Sequence, residues 1–164
     1  DINPTAISIT KQRISYQSNN NSTQEIYLGN AKKMDFVSDN SINFICTHPP
    51  YADIIRYSNS IVDDISLHNY NDFLLEMHRV AEECYRVLKP NHYCSFMIGD
   101  IRKNGNVIPL GFKLMEVFCK SKFVLKEIII KEQHNCKCTS YWLDNDSMKR
   151  MYLLAHEYVF VMKK

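Results

Sequence analysis

Glycine is scarce: four residues in 164, at positions 29, 99, 105 and 111, with no G-x-G among them. A glycine loop that cradles a phosphate or a dinucleotide is therefore not encoded in these residues. Apolar residues never continue for the roughly 20 positions that a bilayer-crossing helix requires, and no basic-then-apolar leader opens the sequence. The expectation is a cytoplasmic protein without membrane association. Neither sign of charge dominates, since 20 Lys plus Arg face 18 Asp plus Glu and leave a net charge of +2. That balance excludes a polybasic binder and confines any nucleic-acid contact to a local patch. Paired cysteine motifs are missing as well. Four of the six cysteines lie in apolar runs such as Phe44-Ile45-Cys46, as buried free thiols do in a reducing compartment. Cys136 and Cys138 follow His134 in a polar stretch, but structural zinc sites pair their ligands as C-x(2–4)-C and no second pair lies nearby, so no metal is expected.

What is present fits one globular domain: 45% of the residues are hydrophobic and 23% charged. The chain opens at Asp1 without a Met and reads as the middle of a domain, which predicts a segment of something longer. Asn3-Pro4 is a helix N-cap followed by Pro at the first helical position, predicting a helix to about Tyr16. Glu25 to Leu28 reads as a short strand ending at Gly29-Asn30. Ile42 to Cys46 is nearly continuous apolar, as a strand buried on both faces should be. Phe73, Met77, Val80, Ala81, Cys84, Val87 and Leu88 recur at helical spacing between Asn71 and Leu88, with Lys89-Pro90 as the stop. Tyr93 to Ile98 is a further strand, Pro109-Leu110-Gly111 introduces a helix to about Lys120, and Phe123–Lys131 and Tyr158–Met162 are the last two strands. Residues 132–151 form a long polar loop containing Tyr141-Trp142. Alternating strands and helices predict an α/β fold, a mostly parallel sheet covered on both faces and closed by an antiparallel C-terminal hairpin. In such sheets ligands bind at the carboxyl ends of the strands. Asp1, Asn30, the stretch Thr47 to Tyr51 and Gly99-Asp100 all fall there.

Thr47-His48-Pro49-Pro50-Tyr51 is the feature that carries chemistry. Neither proline donates a ladder hydrogen bond and both have a fixed φ, so the turn displays carbonyl oxygens beside an aromatic ring. Such a turn suits a planar group that presents N–H donors, with Tyr51 able to stack on it. Here the sequence resembles the amino-directed, S-adenosylmethionine-dependent DNA methyltransferases, whose signature is Asp, Asn or Ser followed by Pro-Pro-Tyr or Pro-Pro-Phe. The resemblance extends in order through Asp1-Ile2-Asn3-Pro4, Gly29-Asn30-Ala31, Ile98-Gly99-Asp100 and Glu157-Tyr158-Val159-Phe160-Val161.

That resemblance implies a Rossmann-like methyltransferase fold, double-stranded DNA as partner and a target base flipped out of the helix. It implies that His48, Pro49, Pro50 and Tyr51 form the catalytic turn, with Tyr51 stacked on the base and residue 48 and the Pro49 carbonyl accepting from its amino group. It implies S-adenosylmethionine as cofactor, bound by Asp1, Asn30 and Thr47. Two departures stand out. His48 replaces Asp, Asn or Ser and accepts only through an unprotonated ring nitrogen. The family's glycine-rich cofactor loop should precede Asp1 by some twenty residues, so an N-terminal segment or a second polypeptide is expected to complete the unit. Thr47 resembles the Thr-Ser-Pro-Pro-Tyr form of cytosine-directed enzymes and favours cytosine N4 over adenine N6. A non-catalytic module of the same fold and an RNA-directed methyltransferase stay open as alternatives. So do plainer readings: Asp1 as a cap of the Asn3-Pro4 turn, Asn30 as a turn former, and Arg56-Tyr57 as a solvated helix start in place of a DNA contact.

Overall fold

A computed structural model describes residues 1–14, 22–134 and 152–164 of the chain. Helix α1 spans Pro4–Arg13 and starts as its sequence dictates: the Asn3 side chain accepts from the Thr5 N–H at 2.9 Å, and Pro4 occupies the first turn. Ile14 caps it, and the predicted end at Tyr16 lies outside the described residues.

Among the described residues the predicted strand Glu25–Leu28 does not enter the sheet. Its backbone meets residue 1 instead. The Asp1 backbone nitrogen donates to the Tyr27 carbonyl at 3.1 Å and the Gly29 N–H donates to the Asp1 carbonyl at 3.0 Å, a single rung of parallel pairing. Tyr27 then stacks on Phe36, with ring centroids 4.7 Å apart. A Cβ at Gly29 would come within 2.7 Å of the Phe36 ring, so a larger residue there would displace that ring.

Four strands form the sheet in the order β1-β2-β6-β5: β1 (Ile42–Thr47), β2 (Leu88–Ile98), β5 (Val124–Glu132) and β6 (His156–Lys163). β1 and β2 are parallel, whereas β2–β6 and β5–β6 are antiparallel. The expected C-terminal antiparallel pair is present, and among the described residues the parallel share is one pair. Contrary to the expectation of burial on both faces, none of the β1 residues is buried and Phe44 is 57% exposed. The reason is its place at the sheet edge, with β2 as its only strand neighbour among the described residues.

Helix α2 (Tyr70–Val87) is capped by Asn69, whose side chain accepts from the Asn71 and Asp72 N–H groups. β2 follows it without a loop. Pro90 is tolerated inside β2 because it falls where the β1–β2 register breaks, beside Asn91 at φ 64°. A hairpin of β3 (Ile101–Lys103) and β4 (Asn106–Ile108), absent from the sequence reading, turns on Asn104-Gly105, both at positive φ.

The core lies between one face of the sheet and the helices α2 and α3 (Leu110–Lys120). Cys94, Phe96 and Ile98 of β2 alternate inward with Phe160 and Met162 of β6, meeting Phe73 and Met77 of α2 and Leu114 and Phe118 of α3. Phe96 stacks on Phe118 at 4.4 Å and on Phe160 at 5.2 Å. Among the described residues α2 and α3 lie on the same face, where cover of both faces was expected. No described helix is long and apolar enough to cross a membrane.

Candidate functional site

β1 delivers its last residue, Thr47, into the His48-Pro49-Pro50-Tyr51 turn, where the two prolines end the ladder. The chain reverses at Ala52, which is fully buried and holds φ 49° despite having a Cβ. A left-handed alanine costs about 1–2 kcal/mol, so the surrounding packing enforces this turn. A short 3-10 turn, Ala52–Ile54, follows. The loop beyond it is locked from within. Ser58 Oγ donates to Asp64 at 2.6 Å, the Ser66 N–H donates to Asp64 at 2.9 Å, and the Tyr57 N–H donates to Ser66 Oγ at 2.9 Å. Burial raises the Asp64 pKa, but these donors outweigh it and leave the carboxyl below its ordinary range.

Two pockets open at this end of the sheet. The larger, ≈ 530 Å³, brings together Asp1, Asn30, Thr47, His48, Pro49 and Pro50, which are six of the seven predicted site residues. Its volume falls in the range of small-molecule sites. Asp1 Oδ1 accepts from the Asn3 N–H at 2.7 Å, so the carboxylate does cap its turn while its other oxygen retains acceptor capacity. Asn30 is a turn former, accepting from the Lys32 N–H at 3.0 Å, and its amide nitrogen lies 3.4 Å from Asp63. The same wall is pinned by Lys32, whose Nζ meets Asp63 at 2.8 Å and Glu76 of α2 at 2.5 Å.

Tyr51 lines the second pocket, ≈ 300 Å³, and is absent from the lining of the first. Its hydroxyl donates to Glu157 Oε1 at 2.6 Å and accepts from the Gly99 N–H at 3.0 Å. Glu157 Oε2 accepts in turn from Lys131 at 2.7 Å. Burial and the Glu157 hydrogen bond push the Tyr51 pKa well above the ordinary phenol range. For Glu157, burial works upward, but hydrogen bonds from Lys131, Tyr51 and Gln133 prevail and hold its pKa at about 2. Gly99 permits this arrangement, since a Cβ there would sit 3.3 Å from the Tyr51 ring and 3.4 Å from Glu157 Cγ. His48 Nε2 lies 3.3 Å from the Tyr51 hydroxyl and 3.9 Å from Glu157 Oε1. His48 and Tyr57 line both pockets.

Glu157 and Lys131 are site groups to which sequence reasoning gave no role, whereas Gly99, expected at the ligand end of the sheet, is there and supplies its N–H. A carboxylate in an otherwise apolar terminal strand was the available signal for Glu157, because such a residue is rarely buried unpaired. Asp100 lines the second pocket, and its Oδ1 accepts from the Gly111 N–H at 3.1 Å in the first turn of α3. Among the described residues no cluster is arranged to hold a metal ion. Cys136, Cys138, Tyr141 and Trp142 lie outside the described residues.

With this geometry in view, the sequence profile of the DNA methylase family matches residues 42–164. The chain is 25% identical over 167 residues to the type II methyltransferase M.MjaI of Methanocaldococcus jannaschii, a match covering 85% of this chain and 55% of that protein. It is 27% identical over 147 residues to the type II beta methyltransferase M.BslI of a Bacillus strain, covering 78% of this chain and 15% of the relative. The chain thus spans about half or less of the length of these curated relatives. Its fold is similar to that of the cytosine-N4-specific PvuII DNA methyltransferase, with a TM-score of 0.59 and 19% identity over 84% of this chain and 48% of that one. A Thermus thermophilus protein described as a DNA modification methylase, solved with S-adenosyl-L-methionine, superposes with a TM-score of 0.61 and 23% identity, covering 83% of this chain and 53% of its own. The described elements accordingly form an α/β, Rossmann-like methyltransferase fold, and the chain belongs to the N6/N4 amino-directed DNA methylase family.

Proposed function

We propose that this chain carries the base-binding pocket and part of the cofactor pocket of an S-adenosylmethionine-dependent methyltransferase acting on the exocyclic amino nitrogen of a base flipped out of double-stranded DNA, with cytosine N4 favoured over adenine N6. The observation that carries the reading is the pair of adjoining pockets divided by His48. The larger has the features the cofactor asks for: a carboxylate at Asp1 for the ribose hydroxyls, Asn30 beside the adenine, Thr47 at the strand end, and apolar walls such as Ile2 and Met34. When bound, S-adenosylmethionine supplies an electrophilic methyl group.

The residues of the chain do the rest. An amino nitrogen on a base is a poor nucleophile because its lone pair is delocalised into the ring. His48 and the Pro49 carbonyl accept hydrogen bonds from its two N–H groups, favouring the pyramidal geometry that releases the lone pair. Tyr51 and Tyr57 offer ring faces to hold the base in the smaller pocket, and flipping is needed because the atom is out of reach inside a duplex. The outer edge of β1, exposed and apolar at Phe44, takes a strand from a polypeptide segment beyond these 164 residues, and that segment brings the remaining cofactor contacts.

The test is transfer of a labelled methyl group to double-stranded DNA by the completed protein, with RNA as the competing substrate. Label is expected on DNA amino nitrogens and a loss of at least tenfold in Tyr51→Ala. Binding of DNA without label would establish a non-catalytic module instead.

A further inference from the structure

We propose that Glu157 is a positioning residue that fixes the tautomer of His48 through the Tyr51 hydroxyl, so that Nε2 carries the proton and Nδ1 is the nitrogen left to accept from the substrate amino group. The substrate half of this statement rests on the methyltransferase reading. The tautomer rests on the geometry of the described residues alone.

The argument is a count of protons and lone pairs. Glu157 is ionised at neutral pH and has no proton to give, held so by Lys131 at 2.7 Å on its other oxygen. Tyr51 therefore spends its one hydroxyl proton on Glu157 Oε1, at the 2.6 Å expected of a charge-assisted O–H···O⁻ bond. A phenolic oxygen retains acceptor capacity, and the Gly99 N–H at 3.0 Å uses part of it. What faces His48 Nε2 at 3.3 Å is thus a lone pair, with the Glu157 carboxylate behind it at 3.9 Å. An unprotonated Nε2 would set lone pair against lone pair next to a negative charge. A protonated Nε2 makes a hydrogen bond instead, so a neutral ring carries its lone pair at Nδ1. The network thereby decides which ring nitrogen is the acceptor at a position where Asp, Asn or Ser would offer an oxygen without a tautomer to set. The ordering is delivered by Glu157 of β6 and Lys131 of β5, which reach the motif through this chain of bonds.

A Glu157→Gln variant inverts the count. Lys131 still requires an oxygen at the outer position, which turns the new amide NH₂ towards Tyr51. The hydroxyl then accepts from both the amide and Gly99, its proton is redirected to His48 Nε2, and the proton of the ring moves to Nδ1. A Tyr51→Phe variant removes the intermediary and leaves a mixture of tautomers.

The experiment is two-bond ¹H–¹⁵N correlation spectroscopy on histidine-labelled protein at pH 8, with the His48 signals identified by their loss in His48→Asn. The unprotonated ring nitrogen resonates far downfield of the protonated one. In the wild-type protein Nδ1 is expected downfield, in Glu157→Gln Nε2, and in Tyr51→Phe the two shifts converge. A downfield Nε2 in the wild type, or converged shifts already there, overturns the proposal whatever the variants do. If the wild-type tautomer is as stated and no methyl transfer occurs, the enzymatic reading fails and the positioning role stands. If transfer occurs with the opposite tautomer, the positioning role fails alone.

Discussion

Glu157 is only 8% exposed and yet charged, so its worth to the fold depends on pH. Its folded-state pKa of about 2 lies below that of a free glutamate, ~4.3, so the stability it contributes is fully present above the unfolded value and is lost as pH falls towards 2. The urea midpoint is expected to decline between about pH 4.5 and pH 2. Glu157→Gln should flatten that part of the profile, and an unchanged slope would remove Glu157 as a contributor. This residue also shows where sequence reading ran out. Its strand was recognised, and with it the apolar neighbours Val159 and Val161. Its partners Tyr51 and Lys131 lie 106 and 26 positions away, and no local pattern announces a hydrogen bond across that separation. The Pro49-Pro50 turn was legible for the opposite reason: proline acts on its own backbone, so its effect is written in adjacent residues.

Among the elements, those defined by periodicity were read well and those defined by their neighbours were not. α2 shows its buried stripe at helical spacing and its Asn69 cap within three residues, all of it local. Glu25–Leu28 has strand-like composition, but composition cannot supply the partner that makes a strand, and residue 1 offers a single rung. The segment from Asn30 to Phe36 has no regular structure of its own and is held against α2 by side chains. Lys32 is one tether, its side chain 10% exposed between Asp63 and Glu76, and Arg86 of α2 is another, donating to the Met34 carbonyl at 3.0 Å and the Val37 carbonyl at 2.9 Å. Burial alone lowers the Lys32 pKa, yet the two carboxylates prevail and raise it. Lys32→Met should cost about 1–2 kcal/mol, since the part-buried Glu76 loses the closer of two cationic partners and keeps Arg79 at 3.2 Å. The loss should be local as well as global: amide exchange at residues 30–34 is expected to accelerate more than in α2, and uniform acceleration would mean that Lys32 does not act as a tether.

At the scale of the molecule, the sheet has two outer strands, and their surfaces are unlike those of its interior. β1 leaves Phe44 exposed, and β5 leaves Ile128, Ile129 and Ile130 at 43–67%. The apolar run of β1 is what a central strand needs, which is why the sequence suggested burial that the described residues do not supply. If a further strand completes the cofactor pocket, the 164-residue chain alone should bind S-adenosylmethionine more weakly than micromolar in calorimetry. Micromolar affinity for the chain alone would show that β1 needs no such neighbour.

Two rings, His48 and Tyr57, border both pockets. A ligand in one pocket that shifts either ring changes the free energy of filling the other, and reciprocity makes that change equal in both orders of addition. The affinities of two ligands that share such a wall are thermodynamically linked. A constant measured for one in isolation describes a different equilibrium from the one that operates when both are present.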